Sequence, residues 1–123
     1  MTFQDWLIAF CLTQLFEMPV YFVVFRQRTW PQRFLFGFGA SAITHPLVWG
    51  VFLWHDLPHE VTFVMAETFA IFAEALYLQL LGVRHGLYWS LVANMTSILL
   101  GQVYYSLKSH AFSIQSFLKA LTS

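Results

Sequence analysis

Glu17, His45, Glu67 and Glu74 stand in stretches that are otherwise apolar. An ionisable group inside a bilayer costs roughly 2.5–3.5 kcal/mol on insertion scales, so a chain that keeps one there uses it. All six Lys and Arg (Arg26, Arg28, Arg33, Arg84, Lys108 and Lys119) fall outside these stretches. Within one chain only a protonated His45 could pair with the carboxyls. Three states remain open: glutamic acids held neutral, a site for a bound cation, or a charge supplied by a partner chain. A carboxyl pair suits proton or cation exchange, because repulsion and desolvation make protonation and cation binding alternatives.

The depth of the polar residues groups them. Counted from the arginine-bearing ends of the apolar stretches, Glu17, Ser41, Thr44, Glu74 and Asn94 lie seven to ten residues in. At about 1.5 Å rise per residue, these positions share a layer about one turn thick. His45 is one residue deeper and Ser97 one turn deeper. Glu67 is two turns from Glu74 on nearly the same helix face, towards the opposite surface, where it is either solvated or an entry point. Ser41, Thr44 and His45 share a face by i, i+3, i+4 spacing, and so do Asn94, Ser97 and Gly101. The proton- or cation-binding set is therefore Glu17, His45, Glu67, Glu74 and Asn94, supported by Ser41, Thr44 and Ser97. The same hydroxyl and amide groups would also serve as interhelical glue.

Pro19 and Pro46 adjoin the layer as candidate helix breaks. Each leaves a backbone carbonyl, of Leu15 and Ala42, without its helical donor. Such carbonyls at mid-membrane depth can coordinate a cation, although proline also simply kinks membrane helices. The outer loop with His55, Asp56, His59 and Glu60 reads as a solvated loop or a transient metal-collecting site; no particular metal or cofactor is indicated.

The elements that must position this layer are transmembrane helices. The chain of 123 residues is 59% hydrophobic and only 10% charged, against about 25% charged in ordinary soluble domains. At this length its core could not hide that much apolar surface from water. Four stretches match the roughly 20 residues needed to cross a bilayer: 6–25, 34–54, 61–83 and 86–106. Pro31, Pro58 and charged residues mark the connections. The expected fold is all-α, a polytopic membrane protein forming a four-transmembrane-helix bundle as a single integral membrane domain. Residues 107–123 are expected to be an interfacial helix or a flexible tail. Balanced charge excludes a nucleic-acid partner, and the single Cys11 excludes an internal disulfide and a zinc spacing. The start of the chain does not read as a cleavable signal peptide.

Trp6, Trp49, Trp54, Tyr104 and Tyr105 mark one interface, and Trp30, Tyr88 and Trp89 the other. Arg26, Arg28, Arg33 and Arg84 sit on the first and third loops. The positive-inside rule then places both termini outside the cytoplasm, and a bacterial inner membrane is the expected location.

Phe16-Glu17 followed by Tyr21 echoes Ala73-Glu74 followed by Tyr77, and 40–44 echoes 93–97. Each half would be a hairpin with Glu on its first helix and a polar pair on its second, and repeats of this kind place a site at their interface. Length, span number, Glu17 and the Arg28-Thr29-Trp30-Pro31 turn are similar to the small multidrug-resistance transporters. Glu67, Glu74, the Thr44-His45-Pro46 element and the longer tail depart from that family's pattern, and the chain is not assigned to it. Standard enzyme motifs are absent. The expected function is binding or movement of a proton or metal cation, coupled or not to a small solute. So small a bundle has little room for a solute, which favours a homodimer. The alternative is an accessory or assembly subunit of a larger membrane complex.

Overall fold

A computed structural model describes residues 3–51 and 58–122. These form four α-helices and no strand: α1 (Phe3–Val24), α2 (Trp30–Val51), α3 (His59–Leu80) and α4 (Gly86–Thr122). The first three have 22 residues each, about 33 Å at 1.5 Å per residue. Each helix packs on two neighbours, in the order α1, α2, α3, α4 and back to α1, and the backbones of the diagonal pairs stay apart. The result is an up-down-up-down ring of four around a narrow axis.

Backbone chemistry sets the turns. At the end of α3, Gly82 adopts φ +81°. The N–H groups of Gly82 and Val83 donate to the carbonyls of Gln79 and Leu78, a C-terminal cap that glycine enters without steric cost. The side chain of Val83 packs back on the core. Between α1 and α2, Arg33 donates to the carbonyls of Arg28 and Arg26. Arg28 lies 5.4 Å over the Phe36 ring and reaches the Leu81 carbonyl at 3.4 Å, tying the first and third connections together at one end. Pro19 and Pro46 lie inside α1 and α2, which continue through them.

Close approach depends on particular glycines. A Cβ on Gly86 would meet the carbonyl oxygen of Ala75 at 2.8 Å, and one on Gly39 the hydroxyl of Tyr77 at 2.6 Å. Gly50 and Gly101 have nothing within 4 Å. Close helix contact within this chain therefore does not require glycine at these two.

Beside the apolar core the interior holds many polar side chains, and large apolar ones cover the outer surface. Glu17, Ser41, Thr44, Thr62, Glu74, Ser90 and Asn94 are buried, while Leu15, Leu35, Phe72, Leu76, Leu80 and Leu99 face outwards. Among the described residues two helices, Phe3–Val24 and Glu60–Leu80, are long and apolar enough to cross a membrane. The other two of the four expected spans do not reach that measure; α2 carries Ser41, Thr44 and His45 and α4 carries Ser90, Asn94, Thr96 and Ser97. Several of these polar groups point into the bundle. Phe52, Leu53 and Trp54, expected to end the second span, and the His55-Asp56 part of the outer loop lie outside the described residues. Of the aromatic belt, Trp30, Tyr88 and Tyr105 are exposed.

The largest difference from expectation is at the C-terminus. α4 runs 37 residues without interruption, about 55 Å, where the expectation is a span to about residue 106 followed by an interfacial helix or a flexible tail. No Pro or Gly occurs after Gly101, and Leu107, Lys108, Ala111, Gln115, Leu118, Lys119 and Ala120 all favour helix. From Tyr105 to Thr122 every residue is exposed.

Candidate functional site

Glu74 is the centre of the buried polar network. Its side chain is 1% exposed and accepts hydrogen bonds from three other helices. Tyr21 Oη on α1 donates at 2.7 Å, Asn94 Nδ2 on α4 at 2.8 Å and Thr44 Oγ1 on α2 at 3.1 Å. The first two share Oε2, and Thr44 meets Oε1. A carboxyl withdrawn from water needs donors, a cation or a proton, and these three donors supply one of those needs.

Thr44 makes the arrangement adjustable. Its hydroxyl also lies 3.1 Å from the Ser41 carbonyl, yet it has a single hydrogen. With Glu74 ionised, that hydrogen goes to Oε1. With a proton on Oε1, the hydroxyl turns to the Ser41 carbonyl and accepts from the carboxyl instead. The network satisfies both states without moving a heavy atom.

Glu17, one helix away, is 2% exposed and accepts a hydrogen bond from the Ser41 hydroxyl. Each hairpin thus ties its glutamate to a polar residue on its own second helix, Glu17 to Ser41 and Glu74 to Asn94. The tyrosines break the likeness. Tyr21 stands four residues after Glu17 and crosses to Glu74, whereas Tyr77 stands three after Glu74 and donates to the Phe36 carbonyl at 2.9 Å.

Glu17 and Glu74 line one small cavity of about 60 Å³, together with Thr44, His45, Glu67, Asn94 and Ser97. It has room for a few water molecules or one small cation. Ionised together, Glu17, Glu67 and Glu74 would repel one another across it. The structure therefore brings together all five residues of the expected binding set, with Thr44 and Ser97 on the same wall. Ser41 reaches the set through Glu17. His45 is half-buried, with its ring edge-on to Phe10 at 5.3 Å. Pro19 and Pro46 are exposed on the outer faces, and neither they nor Leu15 and Ala42 line this cavity. Among the described residues no three His, Cys, Asp or Glu side chains are grouped to hold a metal ion.

Two participants were not singled out as site residues from the sequence. Tyr21, fully buried, sits one turn from Glu17, and that spacing was the available signal. Ser90, fully buried and one turn before Asn94, donates to the Ile71 carbonyl at 2.6 Å, while its own carbonyl accepts from Asn94 Nδ2 at 2.9 Å. Asn94 thereby spends one amide hydrogen on its own helix and presents the other to Glu74.

Compared with protein-family models, curated proteins and solved structures, the chain matches none.

Proposed function

We propose that this chain is a four-span membrane protein whose interior carboxyl pair, Glu17 and Glu74, takes up and releases a proton or small cation. The observation that carries the reading is the Glu74 carboxyl, buried at the centre of the ring and held by donors from the other three helices. Helix packing alone would be served by neutral amides. Two carboxyls on one cavity, beside a hydroxyl able to donate or accept, form the inventory of a proton site. A sodium-sized cation on the same oxygens is the second form of the reading.

The four-span arrangement is supported by helix lengths close to the hydrocarbon thickness of about 30 Å and by the outward-facing Leu and Phe residues. Polar residues turned into the bundle account for the low hydropathy of α2 and α4. The Glu17–Ser41 and Glu74–Asn94 pairs support two repeated hairpins meeting at the site. The arginines at one end favour that end as cytoplasmic and both termini as outside, in a bacterial inner membrane. Cysteine at Arg84 should then be protected from an impermeant thiol reagent added to intact cells, and cysteine at Ser123 should react. The reverse pattern would overturn the orientation.

The proton reading is tested by infrared titration of the purified protein. A carboxylic-acid band should convert to carboxylate as pH rises, and the part due to the pair should vanish in the Glu17→Gln/Glu74→Gln protein. A band unchanged at every pH at which the protein stays folded would mean carboxyls locked in place as structure.

The alternative, an accessory subunit of a membrane complex, is favoured by one observation. Beyond the bundle α4 exposes Leu107, Phe112, Ile114, Phe117, Leu118 and Leu121, a surface open to a partner. Solubilised mass separates the two, since a carrier of this size would act as a homodimer and a subunit would co-purify with a larger assembly.

A further inference from the structure

Glu60, Glu67 and Glu74 recur every seven residues along α3, in steps of about 10.5 Å on nearly one face. Glu74 is buried, Glu67 half-buried and Glu60 exposed. Beside the inner cavity lies a groove of about 830 Å³ between α1, α3 and α4, with Glu60 at its outer part. Glu67, Thr13 and Ser97 line both spaces. A second groove, around Cys11 and Trp30, shares no lining residue with the inner cavity.

We propose that this groove is the entrance through which the proton or cation reaches the carboxyl pair, with Glu67 as the relay at its inner end. The inference rests on the proposed exchange at Glu17 and Glu74 and adds its direction of access. The graded exposure of the three carboxyls fits this assignment. A cation entering from the terminus-bearing end meets Glu60 in water, then Glu67 where the groove narrows, then the inner pair. At the opposite end Tyr21, Phe25, Leu78 and Ala93 pack together as buried apolar core, and the Arg28 contact to Leu81 joins the turns. The pair is thus open to one side and sealed from the other. Glu67 acts on the ion in transit and is not one of the donors that hold Glu74.

Gly101 provides the plug for a test. It lines the groove, and a Cβ added there meets nothing within 4 Å, so the Gly101→Trp side chain should leave the helix into the groove and fill it. In a Cys11→Ala background reconstituted in vesicles, Ser97→Cys should react with a cationic, impermeant methanethiosulfonate only from the side bearing the termini. Adding Gly101→Trp should reduce that reaction to the background of the Cys11→Ala protein. Ser106→Trp, at an exposed groove position, is the second plug should Gly101→Trp melt early. Reaction from the arginine-bearing side, or an undiminished rate in a folded plugged protein, would overturn the entrance. Glu67→Gln should leave Ser97→Cys reactive but slow the infrared response of the pair after a pH jump, and an unslowed response would remove Glu67 as relay. Thiol labelling needs no exchange activity. An open groove with no titrating pair would therefore strike the proposed function and not the route, and a titrating pair with no labelling the reverse.

Discussion

Replacing Glu74 by Ala is expected to cost about 2–4 kcal/mol of stability, and replacing it by Gln less than about 1 kcal/mol. Ala leaves the Tyr21 hydroxyl and one amide hydrogen of Asn94 without their buried acceptor, and leaves a void beside them. Thr44 escapes, because its hydrogen can return to the Ser41 carbonyl. Gln restores the whole set. Its Oε1 accepts from Tyr21 and Asn94, while its amide donates to Thr44, the same pattern that a protonated Glu would make. Function should separate differently. The Glu17→Gln/Glu74→Gln protein should fold, melt close to the wild type and exchange no proton or cation. Thermal or detergent unfolding, read beside infrared titration and flux into vesicles, checks all of this in one series. Full exchange in the double Gln protein would end the carboxyl reading. Normal folding with failed assembly into a larger complex would favour a partner's Lys or Arg pairing with the carboxylates.

That contrast bears on how much could be read before any coordinates. The layer of Glu17, Ser41, Thr44, Glu74 and Asn94 was legible because helical rise is constant, so equal counting from four helix ends gives equal depth. What counting cannot supply is partner choice across the ring. Counting depth alone does not distinguish Tyr21, whose hydroxyl crosses to Glu74, from Tyr77, whose hydroxyl stops at a backbone carbonyl. The one-residue difference in their spacing from the glutamates, about 100° of rotation, decides it. Position in the sequence leaves the prolines open as helix breaks or plain kinks near the site; rotation along the helix turns Pro19 and Pro46 to the outer face, away from the cavity. The end of α4 was missed for another reason. Membrane thickness sets where a span leaves the hydrocarbon, but it does not stop a helix. Only a capping or breaking residue does that, and 102–122 contain no Gly or Pro.

Gly86→Val should be the most damaging substitution outside the polar network, at about 2–3 kcal/mol. The nearest atom to an added Cβ is the backbone oxygen of Ala75 at 2.8 Å, with the Gln79 nitrogen at 3.3 Å. Neither can swing aside as a side chain can, so α3 and α4 must separate. Asn94 lies eight residues along α4 on nearly the same face, and the separation should pull its amide from Glu74. Gly50→Val is the matched control, because open space surrounds that position. Denaturation of the two variants in the same detergent decides the matter. If Gly86→Val proves as stable as Gly50→Val, the close α3–α4 approach is not a constraint on this fold.

The unbroken run of α4 has a mechanical consequence. A continuous helix is a stiff rod over this length when no proline or π-bulge interrupts it. Its inner stretch carries Asn94 and its outer stretch ends at Thr122. A soluble domain joined to Thr122 in helical register would therefore hold a fixed bearing on the carboxyl site. Each inserted residue would rotate that domain by about 100° and move it outwards by about 1.5 Å. A chain of 14.3 kDa thus carries its own mount for a rigid fiducial, whose tilt would report any rotation of α4 relative to the carboxyl site.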